Sequence, residues 1–102
     1  MSRRDRRAFF TLDATGTYIP TRYATSAWTD TMVNGPSVVG LAARALEQEY
    51  GAEGFQPARL TVDLFAPVRF APIVAVTEEI RSGNRIRVAD VTLLQSEVPV
   101  AR

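Results

Sequence analysis

Apolar residues recur along this chain with two different periods, and the change between them divides it. From Met32 to Tyr50 the spacing is helical. Wound at 3.6 residues per turn, Val38, Leu41, Ala42, Ala45 and Leu46 share one face, and Val39, Ala43 and Tyr50 widen it. The polar remainder is a narrow strip of Arg44, Glu47 and Gln48, with Gly40 beside it. So broad an apolar arc predicts a helix covered on most sides. Gly35-Pro36 marks the start, because a proline in the first turn gives up an N–H that had no partner there. Gly51 is expected to supply a left-handed stop.

On either side of the helix the pattern is that of strands. Ala8–Leu12 is short, apolar and rich in strand formers, and Asp13-Ala14-Thr15-Gly16 has turn chemistry. Thr17–Ile19 is a second short strand, ended by Pro20, and residues 21–31 form a loop with Trp28 as a packing anchor. Beyond the helix, Arg59–Phe65 alternates cleanly, with Leu60, Val62 and Leu64 on one face, and predicts the clearest strand. Ile73–Ile80 and Ile86–Gln95 read as a hairpin around Ser82-Gly83-Asn84. The apolar parity switches between Ile86/Val88 and Val91/Leu93, which a bulge near Asp90 or a change of face explains. Val98–Arg102 begins another extended segment that stops short, as a last strand would if the chain were a fragment.

The element order is β-(β)-α-β-β-β. A curved antiparallel sheet wrapped around one central helix buries both the helix arc and the inward strand faces. That is an α+β hotdog arrangement, lacking the end of its last strand; a helix on an open sheet is the alternative. Residues 1–7 read as a basic N-terminal arm and residues 8–102 as a single hotdog domain.

Composition narrows the chemistry. The chain has 102 residues, of which 46% are hydrophobic and 23% charged. That is enough for one core. No apolar run approaches the roughly 20 residues needed to cross a bilayer, and no apolar signal segment follows the basic start. A cytoplasmic location with no membrane partner is the expectation. There is no cysteine and no histidine. Disulfides and thiol chemistry are therefore out, and so are the usual zinc ligand and the usual neutral-pH base. No metal or cofactor is expected. All the basic residues are arginines, four of them within the first seven positions. No basic stripe or stacking array continues inside the domain, so nucleic acid is not an expected partner.

Three segments carry a family resemblance. They are V-N-G-P-S-V-V-G-L-A-A-R-A-L-E at the helix, R-L-T-V-D-L-F-A-P-V after it, and I-R-S-G-N-R-I-R-V at the hairpin. In order and spacing the chain resembles the N-terminal hotdog repeat of the acyl-CoA thioesterase II (TesB-like) family. That family builds a double hotdog from two tandem repeats and hydrolyses fatty acyl-CoA to fatty acid and CoA. The resemblance implies an acyl-CoA substrate and either a homo-oligomer or a second hotdog domain as partner. The family's catalytic Asp, Thr and Gln lie mainly in the second repeat, so they map onto no residue here. Two departures stand out. Pro36 occupies the position of the family's second glycine, and Asn34 that of a frequent histidine or aromatic.

Thioester hydrolysis needs an oriented water, a base or equivalent, and donors for the developing oxyanion. The turn Asn34-Gly35-Pro36-Ser37 at a helix N-terminus has the form of such a donor site, or else is a helix entry and nothing more. Asn34 can donate but not act as a base. Asp63, alone among apolar strand residues, is the candidate to orient water, or else it pairs with an arginine. Gly35, Ser37 and Val38 are candidate substrate contacts. Arg81 and Arg85, with Arg87, are candidate CoA-phosphate contacts, or else a solvated hairpin tip. Tyr18, Tyr23, Trp28, Phe65 and Phe70 either line an acyl tunnel or fill the core. Two functions stay open. One is a thioesterase completed by a second hotdog; the other is a non-catalytic structural or acyl-binding half of such an assembly.

Overall fold

The computed structural model describes residues 8–102, so the basic arm assigned to residues 1–7 lies outside the described residues. Strands β1 (Phe10–Leu12) and β2 (Tyr18–Pro20) form an antiparallel hairpin. Its turn is clamped by Asp13, whose Oδ1 accepts from the Thr15 and Thr17 N–H groups at 2.8 and 3.0 Å. Gly16 sits there at φ 84°, a conformation that glycine adopts without steric cost. β2 then hands its pairing to Ile73, as Tyr18 and Ile73 exchange N–H···O bonds, each of 2.8 Å.

Strands β3 (Val74–Ser82), β4 (Arg87–Gln95) and β5 (Val98–Ala101) follow as an antiparallel sheet in that order. Helix α1 (Gly35–Tyr50) lies against β3 and β4. Its Val38, Leu41, Ala42 and Ala45 share one core with Ile73, Val91, Leu93, Val100 and Ala101. One helix against this antiparallel sheet is the hotdog fold.

The inward face of β4 reads Val91, Leu93, Gln95, all buried. Buried Gln95 acts as a side-chain extension of the sheet. Its Oε1 accepts from Arg69 N–H at 3.0 Å, and its Nε2 donates to the carbonyls of Arg69 at 2.8 Å and Ala71 at 3.2 Å. A buried amide is tolerated because its donors and acceptor are satisfied. The β4–β5 turn is tight, with Ser96 and Glu97 at φ 50° and 66°. Both are non-glycine residues held in the left-handed region, as a two-residue hairpin turn demands.

Several expectations change. The helix does start at Gly35, as Gly35-Pro36 signals, while Met32 and Val33 before it are drawn into bridges with Arg69 and Thr25. Gly51 ends it in extended backbone (φ −62°, ψ 135°), so no left-handed stop occurs. Glycine is still needed there, because a Cβ would collide with the Glu47 carbonyl. The helix is covered along one side rather than sheathed: Pro36, Gly40, Arg44, Glu47, Gln48 and Glu49 are exposed.

Residues 59–65 do not form the clearest strand. Only their end pairs, through Asp63 N–H to Arg102 O (2.8 Å), the reverse bond (3.0 Å) and Phe65 N–H to Val100 O (2.9 Å). Val62 packs on the core while Leu60 and Leu64 stay exposed, since the neighbour available to them is four-residue β5. The bulge lies on β3, at Ile80 between Glu79 and Arg81, while Asp90 stays in register with Glu78. The parity switch in β4 is a change of face: Ile86 and Val88 are exposed, Val91 and Leu93 buried. Trp28 is no packing anchor, being 93% exposed. No helix among the described residues is long and apolar enough to cross a membrane.

Candidate functional site

The side of α1 left open by the sheet forms the floor of a cleft of about 580 Å³. Pro36, Ser37, Gly40, Leu41, Arg44 and Gln48 line it from the helix. Phe9, Phe10, Leu12 and Tyr18 close it from the β1–β2 hairpin, with Tyr23 from the following 3-10 turn. Thr21 holds that wall in place. Its Oγ1 donates to the Ala8 carbonyl at 2.6 Å, and its N–H to that of Phe9 at 2.9 Å. Phe10 and Leu12 share one face of β1, and Phe9, just before the strand, adds a second aromatic to the wall.

At one end the cleft reaches the helix start. Asn34 is the N-cap: its Oδ1 accepts from Ser37 N–H at 2.8 Å, and its Nδ2 donates to the Thr25 carbonyl at 3.3 Å. Its own N–H is bound to Ala24 O at 2.8 Å. The first turn's donors are therefore largely committed. Pro36 has none, Ser37 N–H is taken by the cap, and Val38 N–H by the Asn34 carbonyl at 3.3 Å. Gly35 N–H alone in that turn has no partner among the described residues, and it stands at the positive end of the helix dipole. At the other end, Tyr18 donates its hydroxyl to Gln48 Oε1 at 3.3 Å. Among the described residues Arg44 is the one charged residue on the cleft, and its guanidinium lies 3.5 Å from Glu47 Oε1. No carboxylate among the described residues lines it.

The cleft brings together Asn34 and Ser37; Gly35, between them in the chain, does not line it. Val38 is 1% exposed and belongs to the core. Arg81 and Arg85 are exposed at the β3–β4 tip, away from the lining, while Arg87 stacks on Phe55 at 4.1 Å. Asp63 does not line the cleft; it is exposed and paired through its backbone with Arg102. The Arg102 guanidinium binds Asp90 Oδ2 at 2.6 Å, and that bond, with Glu78 and Asp63 nearby, raises its pKa. Of the aromatics, Tyr18 and Tyr23 line the cleft; Trp28, Phe65 and Phe70 are exposed elsewhere.

Sequence reasoning missed Pro36, Gly40, Arg44 and Gln48 as lining residues. The signal was present, since these four recur every fourth residue along one helix flank. Phe9, Phe10 and Leu12 were read only as strand formers.

An antiparallel sheet packed on one helix, with a cleft along the uncovered helix flank, makes the molecule a hotdog domain. Residues 24–102 match the family model of the acyl-CoA thioesterase N-terminal domain, and the chain belongs to that family. Comparison with curated proteins and with solved structures gave no match. The β1–β2 hairpin and Tyr23, which wall the cleft, precede the matched span.

Proposed function

We propose that this chain is one half of a thioester hydrolase for fatty acyl-CoA, completed by a second hotdog. Its membership of the acyl-CoA thioesterase N-terminal domain family carries the reading. In it, the thioester carbonyl points at Gly35 N–H, where the helix dipole and an uncommitted donor favour the oxyanion of the tetrahedral intermediate. Asn34 positions that donor by capping the helix rather than touching water, because both ends of its amide are already engaged.

Among the described residues no carboxylate lines the cleft, so in this reading the water-orienting group comes from outside it. A second hotdog supplies it, and Asp63, exposed on the far side of β5, is this chain's own candidate to serve a partner's cleft. The sheet supports such pairing. Beyond the Tyr18–Ile73 bridge, β3 has β4 on one side and, among the described residues, an open edge on the other, with Val74, Val76 and Ile80 exposed. A nine-residue open edge is a surface that proteins usually cover. Arg81 and Arg85 at its end are the proposed contacts for CoA phosphates.

The lack of a carboxylate among the described lining residues also favours a second reading, a non-catalytic acyl-binding half. Thiol release from a medium-chain acyl-CoA, measured with the oligomeric mass of the same sample, separates the two. Turnover by a dimer that falls at least about tenfold in Asp63→Asn supports the enzyme. A well-folded dimer without turnover leaves the acyl-binding half.

A further inference from the structure

Gly40 occupies the middle of α1, where glycine costs helix stability relative to alanine. The fold gives no reason for it. Its backbone is helical, it is exposed, and a Cβ built on it meets nothing within 4 Å. Gly40 does lie on the cleft, between Ser37 at the helix start and Gln48 three turns on. A side chain at 40 would project into the space between the helix flank and the aromatic wall. At the far end the Tyr18 hydroxyl meets Gln48 Oε1 at 3.3 Å, joining wall to floor. Arg44 contributes its stem beside this track, with its charge directed to Glu47.

We infer that Gly40 sets the bore of an acyl channel and that the Tyr18–Gln48 hydrogen bond is its stop, so that the pair selects acyl chains by length. The inference rests on the thioester reading above for the position of the carbonyl at the helix start. From Ser37 to Gln48 the helix rises about 16 Å, the length of an extended acyl chain of roughly 12 carbons. Longer chains meet the hydrogen-bonded pair and have to break it or bend away. Because the wall lies before the span matched by the family model, this length limit belongs to the N-terminal hairpin of this chain.

The test is kcat/KM of the full chain for CoA thioesters of 4, 12 and 16 carbons, in the wild type, Gly40→Leu and Gln48→Ala. Gly40→Leu is expected to lower the 12-to-4-carbon ratio by about tenfold or more, and Gln48→Ala to raise the 16-to-12-carbon ratio by about tenfold. If Gly40→Leu does not melt cooperatively, Gly40→Ala takes its place with a smaller shift in the same direction. Unchanged ratios in folded variants overturn the inference. If the wild type turns over no thioester, the hydrolase reading fails, and the same ratios are then read calorimetrically with non-hydrolysable acyl thioethers of CoA. Length-independent binding by the wild type in that assay also overturns the inference.

Discussion

The two flanks of α1 differ in their residues and do different work. On one, Val38, Leu41, Ala42 and Ala45 meet the sheet and are buried to 5% exposure or less. On the other, Pro36, Gly40, Arg44 and Gln48 face an open cleft. The buried flank is held by complementary packing, so each methyl there has partners to lose. The open flank keeps a mid-helix glycine with empty space beyond it and a hydrogen bond that reaches across the gap to Tyr18. Small residues on the first flank let the sheet approach closely; the glycine on the second leaves room for something else. Residue size alone does not distinguish the two, and what lies opposite does.

Substitutions on each flank test that contrast. The largest effect belongs to Val38→Ala, at 1% exposure. It should cost about 2 kcal/mol in urea unfolding, from lost transfer energy plus a residual cavity. Gly40→Ala should do the reverse, raising stability by up to about 1 kcal/mol, because the new methyl favours the helix and meets no neighbour. Destabilisation by Gly40→Ala would mean that the open flank is packed after all. The smallest effect is on the wall opposite. The Thr15 hydroxyl, with backbone N–H groups of the same turn, holds the Asp13 carboxyl below its ordinary pKa of 3.8. A depressed carboxyl stabilises the fold above 3.8 and loses that contribution as pH falls through the lowered value. Acid titration should therefore loosen the hairpin turn first, seen as shifts of the Thr15 and Thr17 amides, before α1 unfolds.

The same contrast explains what the sequence disclosed. Helical periodicity located α1 and its buried flank, and turn chemistry located the β1–β2 and β3–β4 hairpins, because these signals are local. The β4–β5 turn at Ser96-Glu97 lacks the asparagine, aspartate or glycine usual in such turns and was missed. The exposed strip of Arg44 and Gln48 was visible as a polar face. Nothing local tells a solvated face from a cleft floor, since the wall comes from residues about thirty positions earlier. Alternation across 59–65 was read as a strand because period two records side-chain chemistry and not the presence of a neighbour to pair with. Gln95 gave no signal at all. Its role as a sheet extension depends on where the backbone of Arg69 and Ala71 passes. Of the candidate site, the helix start was legible from Asn34-Gly35-Pro36-Ser37, while the cleft that runs from it was not.

The central claim is that the open flank of α1 is a ligand face, and amide shift mapping with a non-hydrolysable dodecyl thioether of CoA tests it most directly. The account predicts saturable shifts at Ser37, Gly40, Arg44 and Gln48 on the helix and at Phe10 and Tyr18 on the wall, with the buried core of β4 unmoved. A ligand that binds while leaving those six amides in place would contradict it.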